Sequence, residues 1–142
     1  MHPRPERHLL IGDEQDLPLL RMLLASFPRH ATGEIFLELP DARRPLLPAP
    51  DGISTRYLPR GAGELPGARA CAALESWVDE WVHDEYESPE AHSIFMGLVG
   101  NPLVGRTCDR MVAQRPRLHM HRPCCTSLPQ EAERPGGGPP VR

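Results

Sequence analysis

The stretch His8-Leu9-Leu10-Ile11-Gly12-Asp13-Glu14-Gln15-Asp16-Leu17-Pro18 decides how this chain folds. Residues 8–12 form a short continuous apolar run closed by glycine, the pattern of a strand buried on both faces of a parallel sheet. Asp16 then precedes Leu17-Pro18, and Leu19, Leu20, Leu23, Leu24 and Phe27 follow at helical spacing, with proline accepted in the first turn. A strand that passes through Gly12-Asp13-Glu14 into a helix ending near Pro28 is the opening unit of an α/β sheet.

The alternation continues downstream. Residues 33–39, GEIFLEL, are rich in large apolar side chains and are closed by Pro40, which predicts a second strand. The proline-studded DARRPLLPAPDG behind it excludes a regular element. Residues 53–58, ISTRYL, carry β-branched and aromatic residues in partial alternation until Pro59-Arg60-Gly61-Ala62-Gly63 breaks the third strand. From 68 to about 86, Ala70, Ala73, Leu74, Trp77, Val78, Trp81 and Val82 share one stripe opposite Glu75, Asp79, Glu80 and Asp84, which predicts a long amphipathic helix. Residues 94–99 are another buried apolar run ending at Gly100. Asn101-Pro102 then opens the helical pattern Leu103, Val104, Cys108, Met111 and Val112. Residues 117–122, RLHMHR, alternate as a last strand. Strands separated by helices imply right-handed crossovers, hence a three-layer Rossmann-like α/β fold: about five parallel strands with helices on both faces. We divide the chain into an N-terminal extension, 1–7, a folded domain, 8–122, and a Pro/Gly-rich tail, 123–142, expected to be disordered.

At 142 residues one core is expected. A formal net charge of -3 and a pI near 6.1 provide no global field for nucleic acid or an anionic membrane. All 16 basic residues are arginine, which excludes a lysine Schiff base or a P-loop lysine as the chemical centre. No run reaches the roughly 18 apolar residues of a membrane helix, and the start MHPRPERHLL lacks the apolar core of a signal peptide, so a cytoplasmic location is expected. Cys71, Cys108, Cys124 and Cys125 form no CxxC pair and read as free thiols rather than a disulfide framework.

Ligands of open parallel sheets sit outside the carboxyl ends of strands, where loop amides and helix N-termini offer donors and partial positive charge. Two such ends are visible, Gly12-Asp13-Glu14-Gln15 and Gly97-Leu98-Val99-Gly100-Asn101. Neither is GxGxxG, and each reads either as a ligand-facing turn or as an ordinary strand-to-helix turn that needs glycine for its backbone.

The residues also carry a resemblance. GDEQDLP, residues 12–18, is similar to the GDExxLP turn that opens the C-terminal domain of siderophore-interacting proteins, flavin-dependent ferric-siderophore reductases related to ferredoxin reductases. Tyr57-Leu58-Pro59-Arg60-Gly61 is similar to the end of that family's third strand, and HSIFMGLVGN to its next strand-Gly-Glu-helix unit, with Asn101 where the family tends to have Glu. The similar segments span about residues 8–122.

The resemblance implies the NAD(P)H-binding half of such an enzyme, with hydride delivery to a flavin. Gly12, Asp13, Glu14 and Gln15 would line the pyrophosphate and nicotinamide side. Arg60 would meet the adenosine 2′-phosphate and so favour NADPH, its bland alternative being an exposed loop arginine. Gly97, Gly100 and Asn101 would approach the nicotinamide. No segment reads as the family's flavin-holding β-barrel, so FAD would be supplied by a separate domain or partner, and the further substrate implied is a ferric siderophore. A non-catalytic binding or scaffolding protein, or a truncated reductase that has lost the cofactor site, is the competing reading.

Asp13 and Glu14 are as well placed to cap a helix as to bind a ligand, since a carboxylate there gains about 0.3–1 kcal/mol from the helix dipole and would repel a pyrophosphate. Nothing in the sequence marks a desolvating pocket that would make them an acid/base pair. His119 and His121 would face one side of a strand near Cys124-Cys125, but the spacing matches no zinc pattern and no metal is assigned. Trp77 and Trp81 read as helix-to-sheet packing. Arg106, Arg110, Arg115 and Arg117 read as solvated surface, docking of an acidic flavoprotein being the alternative.

Overall fold

The computed structural model describes residues 6–82 and 91–123. The elements run β1 (Glu6–Asp13), a 3₁₀ turn (Glu14–Asp16), α1 (Leu17–Ala25), β2 (Thr32–Leu39), β3 (Gly52–Pro59), α2 (Ala68–Trp81), β4 (Ala91–Met96), α3 (Pro102–Gln114) and β5 (Met120–His121). Among the described residues the five strands form one sheet in the order β3-β2-β1-β4-β5, every neighbouring pair parallel. The fold is the expected Rossmann-like α/β arrangement.

The pleat sorts β1 and its neighbours onto two cores. Leu10 of β1 and Ile35, Leu37 and Leu39 of β2 join Leu20 and Leu24 of α1 on one face. Leu9 and Ile11 of β1, Phe36 of β2, and Ile94 and Met96 of β4 face α2 and α3 on the other, against Leu74, Trp77, Val78, Val104 and Met111. Because both faces of β1 are covered, its side chains are apolar in succession rather than in alternation. The link 40–51 contains no helix or strand, as its prolines require; it lies on the α1 side, where Leu47 is buried.

Trp77 is 2% exposed and packs on the sheet, with Trp81 beside it at 6.5 Å between ring centroids, so both tryptophans serve helix packing. Arg110 pairs with Glu75 and Arg115 with Asp79 (3.1 Å), tying α3 to α2. Part of the basic group read as surface is therefore an interhelix clamp.

Three boundaries differ from expectation. The fourth strand stops at Met96 instead of 99: Leu98 N–H donates to Asp16 Oδ2 (2.9 Å) and its φ of 55° turns the chain away from the β1 ladder. The last strand shrinks from 117–122 to Met120–His121, since Leu118 N–H closes a turn onto Arg115 O and leaves too few residues to pair with β4. Helix α2 ends at Trp81 with Val82 extended, so Val82 is not helical; the remainder of the segment expected to run to 86 falls outside the described residues. Cys124, Cys125 and the rest of the tail from 124 onward also lie outside them.

Candidate functional site

The sheet order reverses direction between β1 and β4: the chain steps from β1 outward to β2 and β3, then returns to β4 and β5 on the other side. The carboxyl ends of β1 and β4 therefore open into the crevice where α/β sheets bind ligands. Both glycine turns singled out in the sequence meet there, Gly12 to Gln15 after β1 and Gly97 to Asn101 after β4.

Asp16 joins them. Its Oδ2 accepts from Asp13 N (2.9 Å) and from Leu98 N (2.9 Å), bridging two turns 82 residues apart. The sequence places Asp16 at the start of α1; in the structure its side chain makes no cap bond to that helix and serves the crevice instead. Space for it comes from glycine: a Cβ on Gly97 would stand 2.5 Å from Asp16 Oδ2, and one on Gly12 2.8 Å from Asp16 Cβ. Leu98 is held at φ 55°, left-handed backbone that costs a leucine roughly 1–2 kcal/mol, so its bond to Asp16 fixes a strained turn in the crevice.

Asp13 completes a reciprocal cap, accepting from Gln15 N (3.0 Å) while its own N–H donates to Asp16. Burial first, then the Asp16 charge and a hydrogen bond between the two side chains, push the Asp13 carboxyl above the usual carboxylate range, against the pull of the Gln15 and Asp16 amides. The sequence marks no desolvating site here because the burial comes from neighbours distant in the chain.

Asn101 caps α3, its Oδ1 accepting from Val104 N (3.0 Å), and its Nδ2 donates to Pro66 O (2.8 Å). A carboxylate at this position would accept but could not donate, so asparagine ties the β4–α3 turn to the approach of α2. Gly100 has φ 85° and open space where a Cβ would be, leaving its backbone accessible from the crevice.

Arg60 stands apart from the two turns, on the β2–β3 side. Its Nε donates to Glu38 Oε2 (2.7 Å), and that carboxylate, 0% exposed, also accepts from Gly67 N (2.7 Å) and Ala70 N (2.8 Å) at the start of α2. The Arg60 side chain is 19% exposed and serves as the charge partner of a buried helix cap. Glu38 was invisible as a site residue in GEIFLEL, where it reads as one position of an apolar strand. Its partners come from 22 to 32 residues further along.

Two further arginines lie in the proline-rich link, where the sequence pattern marks no site. Arg43 Nη2 donates to Glu14 Oε2 (2.9 Å) and its Nε to Asp41, while Arg44 lies 5.6 Å from the Tyr57 ring centre. They line a cavity of about 360 Å³ with Glu14, Leu17, Leu39 and Pro45, at the carboxyl ends of β1 and β2. The only signal in the sequence was an Arg-Arg pair placed just after a strand. On the opposite edge His119 N donates to His92 Nε2 (3.0 Å), and the His119 and His121 rings lie 4.7 Å apart, with His119 just outside β5. No metal-binding cluster forms among the described residues.

A Rossmann-like sheet whose two glycine-bearing turns close on the switch point defines the class, an α/β domain with its ligand crevice at the β1 and β4 ends. The family model described as "Siderophore-interacting protein" matches residues 5–96, more than half of the 142, and the chain belongs to that family. No curated protein matches it significantly. Similar solved structures include a siderophore utilization protein from T. fusca, at 23% identity and TM-score 0.60 over 86% of this chain and 45% of that one. Siderophore-interacting protein SipS from Aeromonas hydrophila gives 17% and 0.57, over 86% and 52%. The siderophore-interacting protein from Acinetobacter baumannii gives 15% and 0.56, over 84% and 46%. These likenesses establish a shared fold, and the chain spans about half the length of the proteins it matches. Among the described residues no helix is long and apolar enough to cross a membrane.

Proposed function

We propose that this chain is a nicotinamide-dinucleotide-binding module of a flavin-dependent ferric-siderophore reductase system, with the flavin held on another domain. The observation that carries this reading is the meeting of Gly12-Asp13-Glu14-Gln15 with Gly97-Leu98-Val99-Gly100-Asn101 at the switch point of a siderophore-interacting family sheet. When bound, the dinucleotide would supply a hydride to the flavin; the chain's own part is to bind and orient it. The open backbone at Gly100 is the group that would approach the dinucleotide, while Asp16 keeps the two turns in register. A cytoplasmic location fits such a role.

Titrating the full chain with NADPH and with NADH while following tryptophan fluorescence tests the reading. Saturable binding of at least one is expected, and no response to either overturns it.

A second reading, a binding or scaffolding protein without the cofactor, is favoured by one observation. The helix N-termini that would receive a pyrophosphate already hold side-chain acceptors: Asp13 on the 3₁₀ turn, Glu38 on α2 and Asn101 on α3. Co-purification of a protein partner with no bound nucleotide distinguishes it.

A further inference from the structure

We propose that β3 pairs along its outer edge with β3 of a second copy of this chain, antiparallel and about a two-fold axis at Thr55, so that two five-stranded sheets become one. This surface lies apart from the dinucleotide crevice and does not depend on it.

Main-chain chemistry comes first. Strand β3 ends the sheet, and among the described residues nothing pairs with its outer side. Arg60 N–H donates to Leu39 O of β2 (2.8 Å), so the even-numbered residues of β3 spend their main-chain groups on β2, while those of Ile53, Thr55, Tyr57 and Pro59 point outward. The outward row is limited at both ends: Ile53 N–H is taken by Pro50 O (3.0 Å), and Pro59 has no N–H. Between those ends Thr55 and Tyr57 offer N–H groups, and Ile53, Thr55 and Tyr57 offer carbonyls. Such a row is a template for another strand. In an antiparallel copy centred on Thr55, the two Thr55 residues exchange both bonds, and each Tyr57 N–H donates to the other copy's Ile53 carbonyl.

Side chains choose this register and this occupant. Strand alternation places Glu34 and Phe36 of β2 and Ser54, Arg56 and Leu58 of β3 on the α2 face. With the axis at Thr55, the second copy's Arg56 lies directly opposite Ser54, and Ser54 is the neighbour of Glu34. Ser54 is small, so the guanidinium can cross two strand spacings, about 10 Å, to the Glu34 carboxylate. Glu34 is partly buried and makes no ion pair among the described residues; the two-fold axis supplies a cation to each copy. On the α1 face Thr55 meets Thr55 and Ile53 meets Tyr57, threonine and β-branched–aromatic pairs that stabilise antiparallel strands. Moving the axis to Arg56 would oppose two arginines, and moving it to Ser54 would set Arg56 against Gly52, whose row holds no carboxylate.

The approach is open. Ala68, Ala72 and Ala73 of α2 border, with Leu58, a depression of about 460 Å³ beside this edge, where larger side chains would overhang it. Antiparallel pairing points the carboxyl ends of the two sheets in opposite directions, so each copy keeps its own crevice.

Sedimentation equilibrium of the full chain between about 1 and 200 µM tests the pairing. A monomer–dimer equilibrium that stops at two copies is expected. Thr55→Pro removes both central N–H donors and should weaken the dimer at least about tenfold. Arg56→Glu sets a carboxylate in line with Glu34 and should weaken it about tenfold, as should Glu34→Arg by opposing two cations. Exchanging both charges in one chain should restore the dimer to within about threefold of wild type. Restoration by the exchange is a result that loss of folding cannot give, and circular dichroism checks each variant. If Thr55→Pro does not fold, the charge variants decide alone. A chain still monomeric at about 200 µM, a dimer indifferent to Thr55→Pro and both single charge variants, a charge exchange as weak as either single variant, or an open series of larger oligomers overturns the pairing.

Discussion

Removing the Glu38 carboxylate should destabilise the domain more than the removal of any exposed charge. Glu38 is fully buried and accepts three hydrogen bonds, from Gly67 N, Ala70 N and Arg60 Nε, all at 2.7–2.8 Å. Glu38→Ala strands two amides at the start of α2 and leaves a mostly buried guanidinium without its anion. Breaking a buried pair from one side costs about 3–5 kcal/mol, a large share of the 5–15 kcal/mol that holds a typical domain together. At about 4 °C per kcal/mol the melting temperature should fall by roughly 12–20 °C. Glu38→Gln keeps one acceptor oxygen, so two of the three donors remain served while its NH₂ faces the third. Its cost should be about 1.5–3 kcal/mol. Arg60→Ala leaves the carboxylate its two helix amides and should cost less than Glu38→Ala. In the double variant no charge is stranded, so its cost should fall short of the sum of the two single costs by more than about 1 kcal/mol. Urea unfolding with midpoint and slope measured separately reads all four proteins. A cost below about 1 kcal/mol for Glu38→Ala, or strict additivity with Arg60→Ala, would refute the claim that this pair anchors α2.

Gly97→Ala should cost about 1–3 kcal/mol and weaken nucleotide binding, because its Cβ would lie 2.5 Å from Asp16 Oδ2 and must push apart the two turns that Asp16 joins; urea unfolding and the NADPH titration read both effects. Asp13→Asn keeps an acceptor for Gln15 N and removes an ionised group that burial and Asp16 disfavour. Since the folded carboxyl titrates above its unfolded value, ionisation costs stability as pH rises through the folded value, and that cost vanishes below the unfolded one. The variant should therefore be more stable than wild type at pH 7, with the gap closing toward pH 3, as thermal unfolding across that range will show.

Most of the fold was legible because its signals are local. The apolar run of β1, the proline punctuation of the 40–51 link and the helical stripe through Leu74, Trp77 and Val78 each depend on neighbours within one or two turns, and each element formed within a few residues of its expected place. The strand ends were misjudged where a distant group intervened: apolar Leu98 and Val99 read as strand, but Asp16, 82 residues earlier, bends the chain there. The same distance hid the chemistry. Glu38 reads as strand filler, Arg60 as a phosphate ligand or an exposed loop arginine, and Arg43-Arg44 as part of a linker, because spacing along a chain says nothing about which charge will face which across a crossover.

By itself, then, the sequence determined a parallel α/β sheet, its two glycine turns and the family they resemble, all of which follow from periodicity, proline and glycine in short windows. Tertiary structure alone decided what those turns are made of. Packing both faces of β1 brought the ends of β1 and β4 side by side, put Asp16 between them, raised Asp13, and paired Glu38 with Arg60 under α2. Hydrogen bonds and charge pairs act through space over a few ångströms, and only the folded chain sets which groups come that close.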